Sequence, residues 1–208
     1  KADEPAWAKA VVIQSFVAFW ANRPAKTKTK ARLLWDDDYI YFHAEMADAD
    51  LYADERQTNG NTWDNDVFEM FFKPREEALA YYEFQVNALN TRFHVFLPSR
   101  GAGGARRGRG ESEDGKFAMQ TAVLLRGTLN HWQDDDTGWS VEGRIPWKYF
   151  HRTGGAPKAG DTWHFALCRY DYSKNYEAAE LTSCAPLRTG SFHQYEDYCR
   201  LKFLAATP

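Results

Sequence analysis

Two segments of the sequence decide the fold: residues 66–72, which read DVFEMFF, and residues 81–89, which read YYEFQVNAL. In both segments an apolar set of side chains alternates with a second set. A period of two places successive side chains on opposite faces of a β-strand. The apolar sets consist of Phe68, Met70, Tyr82, Phe84, Val86 and Ala88. We therefore predict two strands that each bury one face in a core.

The same period of two recurs along the chain, and no long segment has the 3.6-residue period of a helix. Two short helical turns are predicted at 76–80 and 147–151. The further strand candidates are residues 11–20, 31–35, 39–46, 92–97, 117–125, 139–145, 162–170 and 199–204. Many short strands with polar turns indicate an all-β fold, an antiparallel β-sandwich of jelly-roll or immunoglobulin-like type with short helical turns.

Length and charge exclude several classes of protein. The chain has 208 residues and a net charge of −3, and its apolar runs are much shorter than the roughly 18–20 residues that span a membrane. We expect a single domain over residues 1–208, with no nucleic-acid partner and no membrane span. Residues 101–110 read GAGGARRGRG. In a net-acidic domain this stretch is predicted to be part of a mobile loop between two strands, at 100–115.

The three cysteines, Cys168, Cys184 and Cys199, form no C-x-x-C pair, which excludes a structural zinc site of the usual spacing. The odd number leaves at least one thiol unpaired within the chain. Cys184 and Cys199 could pair in an oxidising compartment. We expect three reduced thiols.

A row of polar side chains alternates with the apolar set of the two deciding strands. Glu69, Glu83, Gln85 and Asn87 occupy this row, and Trp63 stands just before the first strand. Carboxylates and amides can bind adjacent sugar hydroxyls, while an aromatic ring stacks on the C–H face of a sugar. The row therefore predicts a solvent-exposed sheet face that binds carbohydrate. A solvent-exposed face without any binding function would explain the same pattern.

Aspartate pairs such as Asp48 and Asp50 supply the oxygen ligands that Ca²⁺ prefers. The full calcium loop of an EF-hand is missing, and aspartate runs at 36–38 and 134–136 are typical of turns. We expect calcium, if the protein binds it, to be a structural ion near Asp48 and Asp50.

Several motifs in order resemble those of carbohydrate-binding module family nine. The features are Asp3, Trp7 and Ala10 at the start, WDDDYIY at 35–41, DADL at 48–51, WDNDVFEMFF at 63–72, FQVN at 84–87, GWSVEGRIPW at 138–147, SFH at 191–193 and YCRLKF at 198–203. The resemblance covers nearly the whole chain. It implies a β-sandwich that binds the ends of sugar chains without catalysis, with bound calcium in some members.

The resemblance also implies roles for particular residues. In the family two tryptophans sandwich a terminal sugar. Trp63 matches the first, and Phe192 stands at the position of the second. Glu69 matches the carboxylate that binds hydroxyls, and Asn87 matches an amide on the neighbouring strand. Gln85 stands where sugar-binding members usually have arginine, so the sugar specificity stays open.

Three other functions remain open at this point. One is an interaction module whose sheet face binds protein. A haem-binding electron-transfer sandwich would need an axial pair such as Met46 or Met70 with a histidine. A polysaccharide hydrolase or lyase would need two carboxylates in a cleft, for which Glu69 and Glu83 are candidates; no other catalytic motif is present. With the lead interpretation we expect poly- or oligosaccharide partners, enzyme domains joined covalently in a parent protein, and a secreted, periplasmic or extracellular location, although these residues carry no signal-peptide pattern.

Overall fold

A computed structural model describes residues 4–102 and 119–205. Its strands, in chain order, are β1 (Val17–Ala18), β2 (Arg23–Pro24), β3 (Thr29–Trp35), β4 (Tyr39–Met46), β5 (Val67–Lys73), β6 (Tyr81–Asn87), β7 (Arg92–Leu97), β8 (Gln120–Arg126), β9 (Gly138–Pro146), β10 (Thr162–Asp171), β11 (Glu180–Ser183) and β12 (Cys199–Lys202). Short 3₁₀ helices span Pro5–Lys9, Phe19–Ala21, Thr62–Asp64, Trp147–Thr153 and Tyr195–Asp197.

The strands form two antiparallel sheets, which confirms the predicted all-β sandwich. The larger sheet has the order β2-β1-β11-β10-β5-β6-β7. Its strand β10 pairs with β11 near one end and with β12 near the other. The smaller sheet has the order β3-β4-β9-β8. The two deciding segments are the neighbouring strands β5 and β6, near one edge of the larger sheet.

The core lies between the sheets and is filled mainly by aromatic rings. The apolar sets of β5 and β6 meet residues of β4 and β9, among them Phe42 and Trp139, which are 1% and 0% exposed. Trp139 is among the largest fully buried side chains. Burial of one such side chain contributes about 1.5–3 kcal/mol, so these rings account for much of the stability.

The larger sheet carries a second apolar cluster on its opposite face. This outer cluster has the buried members Phe71, Tyr81, Phe93, Val95, Leu97, Ala166, Cys168, Ala185, Leu187, Phe192 and Tyr198. The half-buried rings of Trp20, Trp63 and Tyr170 pack against it. Both faces of β5 and β6 are therefore buried, and side chains from loops cover the outer face.

Most predicted strands are confirmed within a few residues, but two local predictions differ. In residues 11–20 the β structure is limited to the short strand β1 and one bridge from Ile13 to Ala31, and the 3₁₀ helix Phe19–Ala21 follows β1. Residues 76–80 are a loop and not a helical turn, because the ammonium group of Lys73 binds the carbonyls of Arg75 and Glu76 at 2.7 Å each. The helical turn at 147–151 is confirmed.

Two further expectations concern the glycine- and arginine-rich loop and the absence of a membrane span. Most of the glycine- and arginine-rich loop lies outside the described residues. Within the described residues, no helix is both long and apolar enough to cross a membrane.

Candidate functional site

The predicted polar row lies on the outer face of the larger sheet, but its side chains are buried and not exposed to solvent. Glu69 is 2% exposed, Glu83 6% and Gln85 1%. The prediction of a solvated face is wrong because the outer cluster and loop residues such as Trp63 cover the row. Buried polar side chains of this kind need hydrogen-bond partners from the protein or from a ligand.

The row has an ordered chain of hydrogen bonds that runs from Thr62 through Gln85 to Glu83 and does not include Oε1 of Glu69. The hydroxyl of Thr62 donates to Oε1 of Gln85, and Nε2 of Gln85 donates to Oε1 of Glu83 at 2.5 Å. Glu69 lies directly opposite Gln85 in the β5–β6 register. Its Oε1 is buried and has no hydrogen-bond donor among the described residues. An acceptor without a donor on this face is a place where a ligand hydroxyl can bind.

Burial changes the protonation of the two acids. Burial, with a smaller contribution from the charge of Glu83, raises the pKa of Glu69 well above its usual range. Burial also raises the pKa of Glu83 to about 7, although the hydrogen bond from Gln85 lowers it in part. A carboxyl group that holds its proton near neutral pH can donate as well as accept.

Trp63 lies in the 3₁₀ helix just before β5, so its ring reaches the N-terminal end of the row. The half-buried indole packs edge-on against Phe93, with ring centroids 5.4 Å apart. The hydroxyl of Tyr172 donates to the backbone carbonyl of Trp63 at 2.9 Å. The ring is thus held in place while part of its surface stays open to solvent.

Phe192 belongs to the same outer cluster but is only 4% exposed. Its ring lies behind two half-buried rings, 6.2 Å from Trp20 and 5.2 Å from Tyr170 between centroids. Sequence reasoning missed both of these rings. Trp20 lies in the strand predicted at 11–20, and Tyr170 follows the ordinary alternation of β10, so neither carries a signal of its own.

Asn87 is fully buried, and hydrogen bonds within the chain occupy its side chain. Its Nδ2 donates to the carbonyl of Glu55 at 2.9 Å and to Oδ1 of Asn65 at 2.8 Å. Its Oδ1 accepts from the backbone N–H groups of Leu89 and Thr91 at 3.1 and 2.8 Å. The amide therefore joins the end of β6 to the loop that precedes β5.

A cluster of three buried carboxylates lies at one end of the sandwich. Oxygens of Asp48, Asp66 and Asp171 all lie within 4.8 Å of one another. Asp50 lies outside this cluster, and its Oδ2 accepts from the backbone N–H of Lys174 at 2.5 Å. One residue of the predicted calcium pair thus belongs to a possible metal site, together with two that sequence reasoning missed because they are distant in the chain.

The charges of this cluster fit a divalent cation. Arg169 contacts Asp48 at 2.9 Å and Asp171 at 3.3 Å, so three carboxylates face one guanidinium. Oδ1 of Asp171 lies 3.3 Å from the guanidinium of Arg169 but has no hydrogen-bond donor among the described residues. Burial and the neighbouring acids raise the pKa of Asp48 to about 7 and that of Asp66 well above its usual range. Uncompensated buried carboxylates are the donor set that hard cations take.

A separate groove of about 860 Å³ lies on the outer face of the smaller sheet. Its lining includes Trp35, Tyr41 and Arg144. Its polar groups bind one another: the hydroxyl of Tyr41 donates to Asp36 at 2.7 Å, and Nε of Arg144 donates to Gln120 at 2.8 Å. These groups, unlike Glu69, already have partners.

Comparisons with known proteins agree with the fold. One relative, Endo-1,4-beta-xylanase A of Thermotoga maritima, is 30% identical over 124 residues, which are 57% of this chain and 9% of that enzyme. A candidate carbohydrate-binding protein from Bacteroides uniformis has a similar structure, with a TM-score of 0.75 and 18% identity over 94% of this chain and 87% of that one.

A carbohydrate binding module family 9 from Caldicellulosiruptor kristjanssonii is also similar in structure. Its complex with cellotriose has a TM-score of 0.64 and 17% identity, over 98% of this chain and 87% of that one. Its complex with glucose has a TM-score of 0.62 and 18% identity, over 98% of this chain and 89% of that one. At such identities the likeness concerns the fold alone. The family model described as "Carbohydrate family 9 binding domain-like" matches residues 1–202, and the chain therefore belongs to this family.

Proposed function

We propose that the chain is a single non-catalytic module that holds the end of a glycan on the outer face of the larger sheet. One observation carries the proposal. Glu69 offers a buried carboxyl oxygen without a donor, in a polar row bordered by half-buried aromatic rings. Membership of the family supports the proposal, as do the glucose and cellotriose complexes of the structurally similar module.

The chemistry of such a site follows from its residues. The indole of Trp63 stacks on the C–H face of the terminal sugar, and the carboxyl group of Glu69 binds a hydroxyl. Stacking contributes about 0.5–1.5 kcal/mol, and a hydrogen bond to the neutral carboxyl group contributes about 0.5–1.5 kcal/mol. The side chain of Glu69 is buried opposite Gln85, so that little side-chain freedom is lost on binding.

The second wall of the clamp contains Phe192 as a supporting ring. Because Phe192 lies behind Trp20 and Tyr170, the surface that meets the sugar belongs to those two residues. Asn87 has no free hydrogen-bonding position on its side chain, so its role is to hold the loop that carries Trp63.

The buried cluster of Asp48, Asp66 and Asp171 holds a structural calcium ion in this proposal. The ion would neutralise the excess negative charge and fix the loops at this end of the sandwich. Since the chain spans only 9% of the Thermotoga enzyme, we also propose that it is one part of a larger secreted, periplasmic or extracellular protein that acts on polysaccharide.

Calorimetry with glucose and cellotriose tests the site. The Trp63→Ala variant should bind cellotriose about three- to tenfold more weakly, with a small change in melting temperature because the ring is half-buried. Trp35→Ala is the matched control, since Trp35 is also half-buried but lines the groove on the other sheet. A Trp63→Ala protein that melts normally and binds cellotriose as tightly as the wild type contradicts the proposal.

The Glu69→Gln variant tests the polar row separately. It keeps the volume of the side chain but replaces one carboxyl oxygen with an amide nitrogen, so it should weaken binding while the fold is retained. Incubation of the wild type with xylan and cellulose should release no reducing sugar. Release of sugar that Glu69→Gln abolishes would instead favour the hydrolase alternative.

A further inference from the structure

Trp132 differs from the other tryptophans of the chain in its exposure. All eight lie in the described residues, and the other seven are buried or half-buried, whereas Trp132 is 63% exposed. An exposed indole presents a large flat apolar surface on which a sugar ring can stack.

The loop that carries Trp132 is anchored on both sides of the ring. The carboxylate of Asp136 accepts from the backbone N–H groups of Leu51 and Thr128, both at 2.7 Å. Asn130 pairs with the backbone of Ala53 in both directions, at 2.9 and 2.8 Å. The ring is therefore presented by a fixed loop, and a ligand that stacks on it loses little free energy to the ordering of that loop.

The same end of the sandwich carries Trp63, and a single segment connects the two tryptophans. The ammonium group of Lys174 donates to the backbone carbonyl of Trp132 and to that of Asp134, the latter at 3.3 Å. Two residues earlier, the hydroxyl of Tyr172 donates to the carbonyl of Trp63.

Beneath this segment, buried Asp66 accepts from the N–H groups of Tyr52 and Tyr172 at 2.6 and 2.7 Å. The rings of these two tyrosines lie 5.9 Å apart. Residues 172–174 thus contact the loops of both Trp63 and Trp132.

We propose that Trp132 forms an outer subsite, on which a later unit of an oligosaccharide stacks when the end of that oligosaccharide is bound at Trp63. The inference rests on the proposed function. A sugar suits this ring better than a protein partner does, because the neighbours of Trp132 in its loop, such as His131 and Asp134, are polar. A single ring among polar groups matches one sugar unit, whereas a protein interface buries a contiguous apolar patch.

Calorimetry with ligands of increasing length tests the outer subsite. The probes are glucose, cellotriose and cellohexaose, and the proteins are the wild type, Trp132→Ala and Leu124→Ala. Leu124 is the matched control because it is 64% exposed on β8, outside the loop of Trp132. The wild type should bind cellohexaose more tightly than glucose. Trp132→Ala should bind cellohexaose about three- to tenfold more weakly than the wild type and glucose equally well.

The outcomes separate this inference from the proposed function. If Trp132→Ala binds all three ligands as the wild type does, or if the wild type shows no gain with ligand length, the outer subsite is wrong and the site at Trp63 is unaffected. Equal losses for glucose and cellohexaose would also overturn it, because Trp132 would then contact the terminal sugar. If the wild type binds none of the three ligands while its melting temperature shows a folded protein, the proposed function itself fails for these sugars.

Discussion

Glu69 and Glu83 lie diagonally across neighbouring strands, in a row of side chains that water barely reaches. Their residue types and alternation are visible in the sequence, but their burial is not. The rings that cover them come from distant segments, such as residues 20 and 192, and no local pattern records that coverage. The sequence could therefore predict which side chains share the face, and could not predict that the face is dry or that one acceptor on it has no donor.

The raised pKa of Glu83 predicts a pH dependence of stability. The folded pKa is about 7, above the usual value of 4.5, so the folded state holds this proton more tightly than the unfolded state. Stability from this group is present below about pH 4.5 and is lost as pH rises through about 7, by at most about 3 kcal/mol. Glu83→Gln keeps the acceptor for Gln85 and removes the titration.

Urea unfolding at pH 5 and pH 8 measures this effect. The free energy of unfolding of the wild type should fall more between the two pH values than that of Glu83→Gln. Equal falls in the two proteins would show that Glu83 is not the responsible group.

The cysteines should differ in reactivity, because the thiolate is the reactive form. A hydrogen bond with the thiol of Cys184 lowers the pKa of Cys199 to about 7, and Cys199 is half-buried. Burial raises the pKa of Cys168 well above its usual range. With iodoacetamide at neutral pH, mass spectrometry should find Cys199 modified first and Cys168 last. Modification of Cys168 at the rate of Cys199 would contradict this order.

At the scale of elements, strands with a strong period of two were predictable and short or irregular ones were not. β5, β6, β7 and β10 agree with their predicted segments within a few residues. β11 was missed because it has four residues and begins with a buried acid, Glu180. The carboxylate of Glu180 accepts hydrogen bonds from the guanidinium of Arg23 at 2.5 Å and from the backbone N–H of Lys26 at 2.7 Å. These partners are distant in the sequence, so strand propensity could not indicate them.

The junction between β6 and the preceding loop gives a prediction at this scale. Asn87→Ala removes a buried amide and leaves the N–H groups of Leu89 and Thr91 without their acceptor. The free energy of unfolding should fall by about 2–5 kcal/mol. The exposed Asn175 is the control, and Asn175→Ala should change stability by less than about 0.5 kcal/mol. A stable Asn87→Ala protein that has lost its sugar affinity would instead make Asn87 a direct ligand of the sugar.

For the whole molecule, the sandwich brings together residues that the sequence separates widely. The cluster of Asp48, Asp66 and Asp171 draws on three segments, and only its first member had a local signal. Closure of the two sheets determines such clusters, so the sequence could not predict which three carboxylates meet.

Removal of calcium tests this cluster. With calcium at a hundred times its Kd, chelation with EDTA should lower the melting temperature by about 5–10 °C. Asp66→Asn should abolish this response, whereas Asp50→Asn should keep it, because Asp50 lies outside the cluster. An unchanged melting temperature of the wild type after chelation would rule out a stabilising calcium ion.

The central claim is that sugar binds on the outer face of the larger sheet, at Trp63. The most direct test is NMR of the tryptophan side-chain N–H signals during titration with cellotriose, with Trp63→Phe and Trp35→Phe variants for assignment. The signals of Trp63 and Trp20 should shift, while those of Trp7 and Trp35, in the groove of the smaller sheet, should stay in place. Shifts at Trp7 and Trp35, with the signal of Trp63 unchanged, would contradict the account.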